Sequence, residues 1–196
     1  MNKRNHIGIP IYTIVLYGDN MVGTTSLLRR YLYDTFDSNW YSRLTDYYTH
    51  KIELDDGNEL KFRFVDIYHY RGYYNKIYFK RADGIMLTYD KTNYDSFRNV
   101  KYNLDDVKEY VNGKIPMALI GCKEDLFFDE QIKSEEGENF SRENDLIFFE
   151  TSAKEDLNVI ECFNEMISRV VENNQDKIYN GMKIKKVRLP KKGCLK

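Results

Sequence analysis

IYTIVLYGDNMVGTTSLL (residues 11–28) joins a short apolar run to a glycine-containing loop and the start of a helical pattern. An apolar run that ends in glycine is typical of a buried strand. Gly18 and Gly23 have the spacing of the phosphate-binding pattern G-x-x-x-x-G-K-[ST], and Thr25 supplies its hydroxyl. Thr24 stands where that pattern has lysine. The stretch therefore predicts a strand, a phosphate-binding loop without its lysine, and a helix.

The rest of the chain alternates predicted strands with predicted helices. The strands are a hairpin over 51–66, nearly continuous apolar runs at 84–90 and 116–121, and a last strand at 146–153. Helical apolar stripes lie between and after these runs. This order predicts an α/β fold with a mainly parallel six-stranded sheet, an antiparallel edge strand at residues 51–55, and helices on both faces.

Several polar motifs fall directly after predicted strands. They are Gly18, Asp66, Asp90, the segment Cys122-Lys123-Glu124-Asp125 and the segment Thr151-Ser152-Ala153-Lys154. Ligands of such sheets bind at the carboxyl ends of the strands. The convergence of these motifs on one rim predicts a binding site there.

The order of first loop, hairpin, "CKED" (122–125) and "ETSAK" (150–154) resembles the Ras superfamily of small GTPases, and the Rab branch most closely. The resemblance runs from about residue 11 to residue 174, and it implies a P-loop G-domain that binds GTP or GDP with Mg²⁺. A single G-domain over residues 1–174 and a tail over 175–196 are expected.

The resemblance also implies which residues form the site. The nucleotide-binding residues would be Gly18, Asp19, Met21, Val22, Gly23, Thr24, Thr25, Ser26, Phe36, Lys123, Asp125, Ser152, Ala153 and Lys154. Thr25 and Asp66 would hold Mg²⁺. The Asp125 carboxylate would select guanine, because it accepts from N1–H and the 2-amino group together. Asp66 and Asp125 could instead be ordinary strand-end carboxylates.

The sequence departs from the Rab pattern around the γ-phosphate. Thr24 replaces the lysine, Cys122 replaces asparagine, and Arg43 occupies the switch I threonine position. His69 replaces the switch II glycine, and Tyr70 stands where a glutamine orients the attacking water. We expect weakened Mg²⁺ and phosphate contacts and slow or absent hydrolysis, and we assign no catalytic residue. Whether the protein is an enzyme, and whether Arg43 supplies the missing charge, stay open.

Two functions fit this pattern. The first is a Rab-like guanine-nucleotide-binding protein of vesicle traffic with little intrinsic hydrolysis. The second is a pseudoGTPase that holds no nucleotide and acts as a fixed protein-interaction module. The aromatic residues crowding the two switch regions would either pack on each other or bind effectors and regulators. They are Trp40, Tyr41, Tyr47, Tyr48, Tyr68, Tyr70, Tyr73, Tyr74 and Tyr78.

Charge is unevenly distributed along the 196 residues. Seven of the 30 basic residues lie between Lys183 and Lys196, where no acidic residue occurs, so residues 1–182 hold 23 basic residues against 31 acidic ones. An acidic body argues against nucleic-acid binding. The basic tail fits either an anionic membrane surface or plain solvation, and whether Cys194 is lipidated stays open. We expect a cytoplasmic monomer, located peripherally on membranes if the tail binds them.

Overall fold

The computed structural model describes residues 11–38, 46–53, 59–68 and 75–174. Its strands are β1 (Ile11–Gly18), β2 (Asp46–Glu53), β3 (Glu59–Tyr68), β4 (Gly84–Asp90), β5 (Met117–Cys122) and β6 (Ile147–Thr151). Its α-helices are α1 (Thr24–Tyr33), α2 (Asn75–Phe79), α3 (Tyr94–Tyr110), α4 (Ser134–Glu143) and α5 (Val159–Asn173), with a short 3₁₀ helix at Phe127–Asp129.

The strands form one six-stranded sheet in the order β2-β3-β1-β4-β5-β6. Strands β3, β1, β4, β5 and β6 are parallel neighbours, and β2 pairs antiparallel with β3 at the edge. The predicted α/β fold with one antiparallel edge strand is confirmed. The edge strand is longer than the predicted 51–55 and begins at Asp46, because pairing with β3 continues as far as Asp66. The predicted turn at Asp56-Gly57 lies outside the described residues.

Alternate residues of β1 point into two hydrophobic layers. Ile14 and Leu16 pack in the layer that holds α1 and α5, while Val15 and Tyr17 pack in the layer that holds α3. Both layers are apolar because a central parallel strand is covered on both faces. The predicted helices on both faces are therefore present.

The N-terminus of α3 is capped by Asn93, whose side chain accepts hydrogen bonds from Asp95 N at 3.1 Å and Ser96 N at 3.4 Å. We expect Asn93→Ala to lower the free energy of unfolding by about 1 kcal/mol, because two helix N–H groups lose their acceptor. Urea denaturation would measure this loss, and Asn93→Asp, which keeps an acceptor, serves as the control. Equal midpoints for Asn93→Ala and the natural chain would contradict the assignment.

In the described part of the chain, no helix has the length and apolar character to cross a membrane. Residues 175–196, the predicted tail with Cys194, lie outside the described residues.

Candidate functional site

A cleft of about 810 Å³ lies at the carboxyl ends of the central strands. The predicted site residues that line it are Gly18, Asp19, Met21, Gly23, Thr24, Thr25, Ser26, Phe36, Asp66, Lys123, Asp125, Ala153 and Lys154. Val22 is buried in the structure, and Ser152 is buried beside the cleft, so neither of them lines it. The rim predicted from the strand ends is the place where these residues meet.

The first loop leaves β1 at Gly18, and only glycine fits there. A Cβ on Gly18 would lie 2.1 Å from Thr88 Oγ1 and 2.6 Å from Thr88 O. Gly23, at the start of α1, has φ 110, a left-handed conformation that favours glycine. The first N–H groups of a helix have no partner within that helix, so the loop presents an N-terminus suited to phosphate oxygens.

The threonine in the lysine position is bound to the sheet. Thr24 is buried, and its Oγ1 lies 2.7 Å from Thr88 Oγ1 of β4. The Thr24 hydroxyl is therefore used in a hydrogen bond to a neighbouring strand, and it brings no charge to the cleft. Among the described residues that line the cleft, the cations are Lys123 and Lys154, and both lie in ion pairs with carboxylates.

The predicted metal ligands lie side by side. Thr25 Oγ1 donates to Asp66 Oδ2 at 2.5 Å, and Asp66 is buried at the end of its strand. In the described part of the chain, no group of three or more His, Cys, Asp and Glu side chains gathers in metal-binding geometry. Mg²⁺ in nucleotide sites uses one or two protein oxygens together with phosphates and water. This oxygen pair fits such an ion.

Asp125 is held in place by the neighbouring strand-end segment. Ser152 Oγ donates to Asp125 Oδ1 at 2.6 Å, and Lys154 Nζ lies 3.8 Å from Asp125 Oδ2. Ser152 Oγ in turn accepts from Glu155 N at 3.0 Å. These bonds join the "CKED" and "ETSAK" segments at one end of the cleft, with one carboxylate facing it.

Cys122 lines the cleft beside the first loop. A Cβ placed on Gly23 would lie 3.4 Å from Cys122 Cβ, so the two segments are in close contact. Burial raises the pKa of the Cys122 thiol to about 12, which keeps it neutral at physiological pH. Unlike an asparagine amide, this side chain fills space without donating strong hydrogen bonds to the loop.

The switch regions are described only in part. Tyr47 Oη donates to Tyr78 Oη at 2.7 Å, and the rings of Tyr33 and Tyr48 meet edge to face. For these residues the aromatic groups pack on each other, while Tyr47 remains 56% exposed. The residues Trp40, Tyr41, Ser42, Arg43, Thr45, His69, Tyr70, Tyr73 and Tyr74, with the side chain of Tyr68, lie outside the described parts.

Sequence reasoning missed several residues of the cleft and one buried lysine close to it. The missed residues that line the cleft are Asn20, Leu27, Asp37, Ser38, Ile67 and Leu126, whereas Cys122 and Thr151, which also line it, were predicted at the rim. Most of the missed residues are next to a predicted site residue in the sequence, and this adjacency could have indicated them. Lys91 is buried beside residues 122–125, where its ammonium pairs with Glu124, and no residue near it in the sequence indicates this.

Comparisons with known proteins agree with this geometry. The model of the Ras family matches residues 13–172. Over 174 residues the chain is 31% identical to the Ras-related protein Rab-8A of Pongo abelii, covering 87% of this chain and 83% of that protein. Both matches cover most of the chain, and together with the order of the six strands they identify its family. The chain belongs to the Ras family of small GTPases and is Rab-like.

Proposed function

We propose that the protein binds guanine nucleotides in this cleft, hydrolyses GTP slowly or not at all, and acts in vesicle or membrane traffic. The observation that carries the proposal is Asp125, which lines the cleft while Ser152 Oγ holds one of its carboxylate oxygens. The second oxygen, Oδ2, is 3.8 Å from Lys154 Nζ.

Base selectivity follows from the donor pattern of guanine. A carboxylate accepts two hydrogen bonds in parallel, and guanine offers N1–H and the 2-amino group side by side, whereas adenine does not. The aliphatic stem of Lys123 would cover one face of the base while its ammonium stays on Asp90 Oδ2, at 2.5 Å. Main-chain N–H groups of Ala153 and Lys154 would donate to guanine O6, because the Ser152 N–H already donates to Leu157 O at 3.1 Å.

Phosphate binding would rely on main-chain groups and a metal ion. The N–H groups of residues 21–26 supply hydrogen bonds and the positive end of the α1 dipole. Thr25 and Asp66 would hold Mg²⁺, which neutralises phosphate charge when bound. Loss of one charge-assisted contact at Thr24 costs roughly 1.5–3 kcal/mol, so affinity is reduced about 10- to 150-fold relative to a site with the lysine.

Slow hydrolysis is proposed from the sequence. In this family glutamine orients the attacking water, and Tyr70 stands at that position. A phenol is one bulky donor and acceptor and does not reproduce the amide's pair of bonds. His69 likewise replaces the glycine next to the γ-phosphate.

Partners follow from the same assignment. We propose protein effectors or regulators at the aromatic switch regions, where Tyr47 presents an exposed ring. The basic segment 183–196 would contact an anionic membrane surface on the cytoplasmic side. The protein would act as a monomer, with residues 1–174 as its G-domain and no nucleic-acid partner.

Three assays on the whole chain test this function: identification of bound nucleotide, single-turnover hydrolysis, and titration with GDP and GTP. Protein purified without added nucleotide is denatured and the released nucleotide is identified by chromatography; guanine nucleotide is expected. Protein loaded with GTP is then followed for phosphate release in a single turnover, and we expect release at or only slightly above the rate of the uncatalysed control. Rapid hydrolysis would contradict the assignment of switch II. Absence of guanine nucleotide together with no binding on titration would favour the nucleotide-free pseudoGTPase.

A further inference from the structure

A lysine lies buried beside residues 122–125. Lys91 directly follows β4 and is 3% exposed. Its ammonium makes a short contact with Glu124 Oε2 and lies 2.9 Å from Glu130 Oε1 and 2.8 Å from Glu150 Oε1. Lysine is almost never fully buried unless it is paired. Glu124 and Glu130 lie in the loop after β5 and Glu150 lies in β6, so a single ammonium joins that loop to the strand.

The main chain of Lys91 also forms hydrogen bonds to the loop that follows β5. Lys91 N donates to Cys122 O at 3.1 Å, and Lys91 O accepts from Gln131 N at 2.8 Å and Ile132 N at 3.2 Å. The loop that follows β5 is therefore bound to residue 91 at its beginning and at its end. The Glu124 contact adds an attachment between those two points.

Lys91 acts on the side of this loop that faces away from the cleft. Lys123 and Asp125 line the cleft, whereas Glu124 between them does not. Lys123 has φ 65, a left-handed conformation that a non-glycine residue keeps only when its surroundings hold it. Two adjacent residues stabilise this conformation: Asp90 binds Lys123 Nζ, and Lys91 binds Glu124.

The second base-contact segment is attached to the same ammonium. Glu150 begins "ETSAK", and Ser152 of that segment donates to Asp125. Burial lowers the pKa of Lys91, but its contacts with the carboxylates of Glu124, Glu150 and Glu130 outweigh burial and raise it, so the ammonium stays charged at neutral pH. Without that charge, the carboxylates of Glu124 and Glu130 in the loop after β5 would face the carboxylate of Glu150 in β6 and repel it.

We propose that Lys91 is a positioning residue for guanine recognition: it fixes the loop 122–125 and the segment 150–154 so that Asp125 faces the base. This inference rests on the proposed nucleotide binding. Lys91 does not line the cleft, and it acts through Glu124 and Glu150.

The test compares GDP with IDP, which lacks the 2-amino group that Asp125 would bind. In Lys91→Met, we expect the GDP affinity to fall about tenfold or more, and the IDP affinity to fall less, so that the ratio of the two affinities drops. Lys91→Arg keeps the charge and should keep the ratio. The matched control is Lys114→Met, whose lysine forms an exposed pair with Asp145 and does not line the cleft.

A second readout does not depend on nucleotide. In the nucleotide-free Lys91→Met chain, amide hydrogens of residues 122–126 should exchange faster than in the natural chain, at a temperature where both are folded. An unchanged GDP-to-IDP ratio with unchanged exchange would overturn the inference. If the natural chain binds no GDP, the proposed function fails, while the exchange data still decide whether Lys91 positions the loop. Should Lys91→Met not fold, Glu124→Gln, which keeps the side-chain volume, is read by the same two measurements.

Discussion

Asp125→Asn should weaken GDP binding about 100-fold or more, because guanine loses a charge-assisted pair of hydrogen bonds and its donors meet an amide N–H₂ group. The carboxylate faces the cleft, and Ser152 Oγ fixes its orientation at 2.6 Å, so the side chain is prepared for this contact. The asparagine amide donates to a carbonyl at C2, so affinity for xanthosine diphosphate should rise as affinity for GDP falls. Titrations with both nucleotides measure the switch.

The matched control is Asp129→Asn, the same substitution on an exposed carboxylate four residues further along the chain. It should leave both affinities unchanged. If Asp125→Asn binds GDP as tightly as the natural chain does, Asp125 does not read the base, and it is a structural acceptor for Ser152.

Thr24→Lys should tighten GDP and GTP binding about 10- to 150-fold, because it restores one charge-assisted phosphate contact worth roughly 1.5–3 kcal/mol. In the natural chain the Thr24 hydroxyl is 2.7 Å from Thr88 Oγ1 and contributes no charge to the cleft. A lysine at this position carries its ammonium on a four-carbon stem, long enough to leave the contact with β4 and enter the cleft.

Thr24→Lys removes a hydroxyl and adds a charge, and Thr24→Val separates these two effects. It removes the hydroxyl bond to Thr88 without adding charge, so it should lower the free energy of unfolding by about 1–3 kcal/mol and leave nucleotide affinity unchanged. If Thr24→Lys folds but binds nucleotide no better than the natural chain, the phosphate end of the cleft is closed, and the nucleotide-free function gains support.

The fold was predictable because its signals are local. Continuous apolar runs followed by polar strand ends predict buried parallel strands, and the stripe with Phe163, Met166 and Val170 forms the buried face of α5. The start of the edge strand at Asp46 was not predicted, because an edge strand is held by pairing with its neighbour and not by its own apolar pattern.

The positions of the site residues along the chain were predictable, but their bonds were not. The sequence places Thr24 after Gly23, yet only the packed structure shows that its hydroxyl meets Thr88, 64 residues away. Lys91 was missed for a related reason. The carboxylates that surround it are distant in sequence, so nothing near residue 91 indicates that its charge is paired and buried.

The central claim is that this cleft binds guanine nucleotide, and calorimetric titration of the nucleotide-stripped chain with GDP and Mg²⁺ tests it most directly, with ADP as the matched ligand. We predict saturable binding of GDP with micromolar or tighter affinity and much weaker binding of ADP, since only guanine offers paired donors to Asp125. Absence of GDP and GTP binding at micromolar concentrations, or equal binding of GDP and ADP, would contradict it.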